Sequence, residues 1–162
     1  MQRGSIPKLI EALEESTSLD VKREASRALG NLAANCEYGR IMFRKDVVAP
    51  LTDLLRSDHV GCQRMASMAL ANISTNVKLQ TRLIKMEVVE PMITLASRGL
   101  DAKATSDAET ERYCLLCLAN LAVSPENHET LITTGALNLV LAFSKVSHAT
   151  SLTRHDTSLT RH

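Results

Sequence analysis

Three asparagines stand in nearly the same sequence context and give the chain a repeat of forty to fifty residues. The segments read Ala-Leu-Gly-Asn-Leu-Ala around Asn31, Ala-Leu-Ala-Asn-Ile-Ser around Asn72 and Cys-Leu-Ala-Asn-Leu-Ala around Asn120. Successive asparagines are 41 and then 48 residues apart. Repeats of this length are typical of stacked helical units, each of which needs its neighbours to bury an apolar face. The function of such a chain must be sought on a surface of the stack.

A second motif recurs fifteen residues after each asparagine. The segments 46–51 and 87–92 read Asp-Val-Val-Ala-Pro-Leu and Glu-Val-Val-Glu-Pro-Met, and they align with 4–9 and 135–140. This pattern resembles the armadillo repeat, a family of three-helix units of about forty residues. The resemblance covers residues 4–146 and implies an all-α fold, a right-handed α-α superhelix of about three repeats plus a partial fourth. A HEAT-repeat array is the alternative, although it does not usually carry a repeated asparagine.

The resemblance also divides the chain into units and helices. One repeat domain spans residues 1–146, with units at 4–45, 46–86, 87–134 and a partial unit at 135–146. Within these units the spacing predicts second helices at 5–14, 47–56, 88–97 and 136–146, third helices at 19–34, 60–75 and 108–123, and short first helices at 37–45, 77–85 and 125–133. We expect Ser124 to cap the last of these first helices, and Ser106 with Glu109 to form a capping box.

Two segments depart from the repeat. The third unit holds seven extra residues between Ala96 and Glu109, so that 97–107 is predicted to be a surface loop, either a tolerated insertion or a partner-contact segment. Residues 147–162 contain Thr-Ser-Leu-Thr-Arg-His twice and are predicted to be a disordered tail.

The composition limits the classes of partner that the chain is expected to bind. The net charge is +1, with two Phe, two Tyr and no Trp, so the basic excess and stacking side chains of a nucleic-acid binder are missing. No apolar run approaches the roughly 18 residues that span a bilayer, which predicts no direct membrane insertion. We therefore expect a protein or peptide partner and a cytoplasmic protein, with the nucleus as the alternative compartment.

The cysteines and histidines do not form a chemical motif. Cys114 and Cys117 have the spacing of a redox pair, but the other units place alanine at both positions, which predicts buried structural thiols. Cys36 and Cys62 stand alone, and the five histidines are scattered. The sequence predicts no catalytic residue, metal or cofactor, and therefore no enzyme.

The third helices carry the candidate binding surface. At 100 degrees per residue, Leu29, Ala25 and Val21 share an arc that predicts the core, and Asn31 lies outside that arc. The resemblance implies that Asn31, Asn72 and Asn120 line a concave groove and bind the backbone of a partner peptide. An amide suits this task because it offers both a donor and an acceptor.

An arginine stands eight residues before each asparagine, at Arg23, Arg64 and Arg112. These side chains are predicted to lie outside the core. They would bind carboxylates of a partner or form salt bridges within the chain.

Two further positions indicate what kind of groove this is. Four residues before the asparagine, importin-α often has tryptophan, whereas this chain has Arg27, Met68 and Leu116. With Met65 and Tyr113, the residues Met68 and Leu116 offer a pliable apolar surface, or else they pack between neighbouring third helices. The style of the third helices is closer to vacuolar and plant-type armadillo adaptors than to importin-α.

These features predict a scaffold or adaptor that binds an extended or helical segment of a partner, with an apolar anchor and some acidic character. The alternatives are an importin-α-like nuclear transport carrier and a structural spacer from a longer solenoid. The chain begins at a second helix and stops after another, which also predicts self-association through uncovered terminal repeats.

Overall fold

The computed structural model describes residues 4–101 and 107–145, and within these ranges every regular element is helical. Two short 3-10 helices span Arg98–Leu100 and Pro125–Asn127. The α-helices are α1 (Ser5–Glu15), α2 (Leu19–Ala33), α3 (Cys36–Arg44), α4 (Val48–Leu55), α5 (Val60–Ser74), α6 (Val77–Lys85), α7 (Val89–Ser97), α8 (Ala108–Leu121), α9 (His128–Thr133) and α10 (136–145).

The third helices of the units stack on one another in chain order. Helix α5 packs against α2 on one side and against α8 on the other, and α1, α4 and α7 pack beside α2, α5 and α8 respectively. The predicted all-α solenoid is therefore confirmed, and the helices begin and end within a few residues of the predicted bounds. The predicted tail, 147–162, and the centre of the predicted 97–107 loop lie outside the described residues.

A buried leucine two residues before each asparagine forms the centre of the core. Leu29 and Leu70 are fully buried, and Leu118 is 2% exposed. Burying one such side chain contributes about 2 kcal/mol. Because the neighbouring helices supply most of the cover, this contribution depends on the stack and not on a single unit.

Val21 was predicted to be core, and this prediction is wrong, since its side chain is 46% exposed. The equivalent residues ten positions before the other two asparagines are Cys62 and Thr110, which are 0% and 3% exposed. Those two residues are covered by the preceding third helix. No described helix packs against α2 at the equivalent place. The helical period therefore predicted which face of α2 carries Val21, but it did not predict whether another helix buries that face.

Polar side chains begin several helices. Asn35 and Asn76, each four residues after a repeated asparagine, cap α3 and α6 by accepting hydrogen bonds from backbone N–H groups. Helix α8 is capped by Asp107, which accepts a bond from the Thr110 N–H at 2.9 Å. Ser106, predicted to cap this helix, lies outside the described residues. Ser124 makes no cap, since its hydroxyl donates to Oε1 of Gln80 at 2.7 Å.

The residue that starts each unit after the first has a left-handed backbone. Asp46 has φ 60°, Glu87 has φ 58° and Gly135 has φ 81°. Glycine adopts this conformation freely, whereas a residue with a Cβ is strained by about 1–2 kcal/mol. The motif thus reaches the same tight turn with the favoured residue only in the last unit.

Candidate functional site

The repeated asparagines join neighbouring third helices. Asn72 Nδ2 donates to the carbonyl of Gly30 at 2.9 Å, and Asn120 Nδ2 donates to the carbonyl of Ala71 at 3.2 Å. The Nδ2 atom of Asn120 also donates to Ser74 Oγ at 3.0 Å. In both units the backbone acceptor lies one residue before the preceding asparagine. The amides therefore form a ladder through the stack, in which Asn72 uses one N–H of its Nδ2 group and Asn120 uses both.

Asn31 differs from the other two asparagines. Its side chain is exposed, and among the described residues it has no hydrogen-bond partner. Asn72 and Asn120 are half-buried. Binding of a peptide backbone by the three amides remains a prediction. Asn120 has only its Oδ1 atom left for it, whereas Asn72 retains Oδ1 and one N–H of Nδ2.

The outer two arginines of the predicted set are held by carboxylates of their own helices. Arg23 Nη1 lies 2.9 Å from Asp20 Oδ1, and Arg112 Nη2 lies 3.5 Å from Glu109 Oε2. The guanidinium of Arg112 also covers the Tyr113 ring, with 4.3 Å between its central carbon and the ring centroid. Such exposed pairs contribute little to stability, but they fix where the guanidinium groups lie.

Arg64 instead reaches across to the next unit. Its Nε donates to Asp107 Oδ2 at 2.9 Å, and its Nη2 pairs with Asp107 Oδ1. Asp107 accepts two more bonds from Thr110, one from the N–H and one from the hydroxyl. The bond from Arg64 above all, and then those from Thr110, lower the pKa of Asp107 to about 2. Of the two roles left open for the arginines, the internal salt bridge is the one observed.

The apolar residues divide between packing and exposure. Met68 reaches over Gly30, where a Cβ would lie 2.6 Å from the Met68 Cε, so this side chain packs between α2 and α5. Met65 and Tyr113 are half-buried, and Leu116 is 41% exposed. The alternative of packing between helices thus applies to Met68, whereas Leu116 remains open on the surface.

A charged depression lies between α2 and α5, beside these apolar side chains. Within it, Arg27 Nε donates to Glu24 Oε2 at 2.8 Å, and Arg27 and Arg23 together lower the pKa of Glu24. The depression is lined by Arg23, Glu24, Arg27, His59, Val60, Gly61, Arg64 and Met65. The exposed face of α2, α5 and α8, which we call the third-helix face, is therefore charged at α2 and more apolar toward α8.

Two polar contacts and one glycine were missed by the sequence reasoning. The Nε2 of Gln80 donates to the Ser74 carbonyl at 2.9 Å, and Ser124 completes a buried chain of bonds between two units. Gly30 lets Ala69 and Met68 approach the α2 backbone. The only signal for Gly30 was that a small residue precedes each repeated asparagine.

The cysteines contribute packing. Cys114 and Cys117 are fully buried, which confirms the prediction that these two thiols are buried like the alanines of the other units. Burial raises the pKa of both thiols, that of Cys117 to about 12. Of the two cysteines that stand alone, Cys62 is buried and Cys36 is exposed.

The described residues give no sign of a metal centre or a membrane span. In residues 4–101 and 107–145, no three His, Cys, Asp or Glu side chains are grouped so as to hold a metal ion. Within the same ranges, every helix is too short or too polar to cross a bilayer.

Three-helix units, stacked through their third helices and joined by asparagine bonds, define an α-solenoid repeat protein. The sequence pattern of the Armadillo/beta-catenin-like repeat family matches residues 2–34. Together with the fold, this match confirms the predicted resemblance to the armadillo repeat. No curated protein sequence matches the chain.

Solved structures of designed armadillo proteins are similar to this chain. The designed protein YIII(Dq)4CqI has a TM-score of 0.75 and 27% identity over 84% of this chain and 55% of its own. YIII(Dq.V1)4CPAF, solved in complex with the peptide (KR)4, has a TM-score of 0.73 and 27% identity over the same shares. Another, designed for modular peptide recognition, has a TM-score of 0.74 and 26% identity. The chain thus spans about half the length of these proteins. Likeness to plant-type adaptors stays a prediction.

Proposed function

We propose that the chain is a protein-binding scaffold that holds an extended or helical segment of a partner along the third-helix face. The observation that carries this proposal is the 41% exposure of Leu116, which shares α8 with half-buried Tyr113 and follows half-buried Met65 of the neighbouring third helix. An open apolar side chain flanked by guanidinium groups suits a ligand with an apolar anchor and acidic neighbours.

The designed relatives support a peptide as the ligand, because one of them was solved with a bound Lys-Arg peptide. The third-helix face of this chain carries Arg23, Arg27, Arg64 and Arg112. A Lys-Arg peptide would meet these like charges as well as the carboxylates that pair with them. We therefore propose the opposite ligand charge for this chain, with Asn31, Asn72 and Asn120 as backbone contacts.

An acidic ligand must compete with the carboxylates of the chain. Arg64 is already bound to Asp107, and Arg112 contacts Glu109. The exchange is easier at Arg112, whose side chain is 57% exposed, than at Arg64, whose carboxylate partner is only 18% exposed. We therefore place the acidic contact of the ligand at Arg112 and its apolar anchor at Leu116.

Titration followed by NMR chemical shifts tests this proposal. Two synthetic peptides of equal length are compared, one with alternating glutamate and leucine and one with alternating lysine and arginine. We expect the acidic peptide to perturb residues of α5 and α8, and to bind at least about tenfold more weakly to Leu116→Asp. Val77→Asp, at an exposed position of α6, is the matched control and should bind normally. Equal binding by Leu116→Asp, or preference for the basic peptide, would contradict the proposal.

The importin-α-like carrier remains a second candidate, supported only by the shared repeat. It is disfavoured by Arg27, Met68 and Leu116 at the positions where that protein often has tryptophan. A spacer role is the third, and it predicts that no variant of the third-helix face changes binding. In each case we propose a binding or structural module and not an enzyme, with a protein partner in place of nucleic acid, in the cytoplasm or the nucleus.

A further inference from the structure

The contact between successive third helices follows one register. In α2 and α5, the residues five before, one before and two after the repeated asparagine are small and buried: Ser26, Gly30 and Ala33, then Ser67, Ala71 and Ser74. The middle residue of each set also supplies the carbonyl that accepts the next asparagine. This strip of small side chains lets the following helix approach closely.

The same strip is open on α8. Its equivalent residues are Leu115, Ala119 and Ala122, and of these the two alanines are exposed. Together with α9 and α10 they border an apolar cavity lined by Leu118, Ala119, Ala122, His128, Leu131, Ile132, Ala136, Leu137 and Val140. We call this surface the α8 face. At Ala119 and Ala122 it matches the small residues of the buried strips, whereas Leu115 replaces a serine, and no helix lies against these alanines among the described residues.

The opposite surface lies on α1 and α2. Val21 is exposed where Cys62 and Thr110 are buried, and Ala28 is half-buried where Ala69 and Cys117 are fully buried. Leu9 and Ala12 of α1 continue the same apolar depression. This surface, the α2 face, carries Asn31, whose amide has no partner in the described part of the chain.

We propose that the α2 face of one copy of this chain docks on the α8 face of a second copy, so that Asn31 Nδ2 donates to the Ala119 carbonyl. Within the chain, Asn72 bonds the carbonyl one residue before Asn31, and Asn120 bonds the carbonyl one residue before Asn72. The carbonyl of Ala119 is the next acceptor in this series, and Asn31 carries the free donor. A single contact would therefore bury the apolar residues of both faces and pair Asn31 with the Ala119 carbonyl.

This contact is heterologous, because it joins two different surfaces. Each added copy buries one α2 face and one α8 face and leaves one of each open, so the copies add head to tail. An isologous contact between two α8 faces would instead stop at a dimer and would leave Asn31 without an acceptor. The two arrangements predict different stoichiometries.

Complementation between two variants of the full chain tests the proposal. Val21→Glu places a charge on the α2 face, and Ala119→Arg places a long charged side chain on the α8 face. Val77→Glu, on the exposed side of α6, is the control. Sedimentation velocity measures the mass over about a hundredfold range of concentration, and circular dichroism with a thermal melt shows that every variant is folded.

We expect the mean mass of the wild type and of Val77→Glu to rise beyond a dimer with concentration. Each face variant alone should be monomeric, and a mixture of the two should form a one-to-one dimer that grows no further. Asn31→Ala should weaken association by about tenfold, as expected for one lost hydrogen bond. A wild type that is monomeric throughout, or a Val21→Glu variant that dimerises alone, would overturn the proposal.

Discussion

The junction between α2 and α5 and the junction between α5 and α8 share one register but are stabilised differently. At the first, Gly30 and Gly61 let side chains of the neighbouring unit lie directly on the backbone: Met68 on Gly30 and Arg23 on Gly61. At the second, Arg64 pairs with Asp107, and the same two units are also joined by the bond from Ser124 to Gln80 of α6. The asparagine bond is common to both junctions. A repeat can therefore keep its geometry while exchanging close backbone contact for polar side-chain bonds.

The largest effect on stability is expected at Gly30, because the junction between α2 and α5 depends on the absence of a side chain there. Gly30→Leu would force Met68 and the Ala69 backbone away and should lower the free energy of unfolding by about 3 kcal/mol, measured by urea denaturation. Ala119→Leu makes the equivalent change on the open α8 face. At low protein concentration it should change stability by less than about 0.5 kcal/mol. Equal effects at the two positions would show that close approach does not stabilise the first junction.

The next effect tests the ion pair of the second junction. Asp107→Ala removes both the partner of Arg64 and the cap of α8 and should cost about 2 kcal/mol. Asp107→Asn keeps a capping oxygen and should cost about 1 kcal/mol, because the exposed Arg64 is partly screened by solvent. A loss as large for the asparagine variant as for the alanine variant would assign all of the effect to charge.

Acid should erase the difference between wild type and Asp107→Asn. The pKa of Asp107 is lowered in the folded chain to about 2, from its ordinary value of 3.8. A carboxyl group of this kind stabilises the fold fully above its unfolded pKa, and the stabilisation is lost as the pH falls through the folded pKa. The advantage should therefore decline between about pH 4 and pH 2, in urea titrations at each pH. A constant difference over that window would contradict the role of the ion pair.

The buried bond between Ser124 and Gln80 should contribute less than the ion pair and cap together. Ser124→Ala leaves the Oε1 of Gln80 buried without this donor, which should cost about 1.5 kcal/mol. Changing Gln80 to Met in the same chain removes the unpaired oxygen. The double variant should then lose less stability than the sum of the two single variants, and strict additivity would mean that the two side chains are not coupled.

The smallest effect on stability is expected for residues outside both junctions, against which the effects at the junctions can be compared. Glu87→Gly relieves a left-handed residue at a unit start, and the gain is reduced by the greater freedom of glycine when unfolded. We expect a net stabilisation of about 0.5 kcal/mol, seen as a small rise in the melting temperature. Gly135→Ala, the reverse change at φ 81°, should destabilise the chain.

The repeat, the helix bounds and most of the core followed from the sequence because they depend on local period and on equivalences between units. The exposure of Val21 did not follow from the sequence, since it depends on whether another helix packs against α2. The partners of Arg64 and Ser124 also escaped, because each bond joins residues more than forty positions apart. For the candidate site, the sequence placed the predicted residues on the third helices, but it could not tell which polar groups the stack had already used.

Each rung of the ladder joins a side chain on one unit to a backbone carbonyl on the unit before it. The acceptor is therefore independent of residue identity, and glycine or alanine serves equally at that place. Genetic drift can change the acceptor residue, within the limit of size, without breaking the bond, whereas the donor tolerates little change. Duplication or exchange of whole units would preserve the connection, since every unit carries its own donor and offers the same peptide group to its successor.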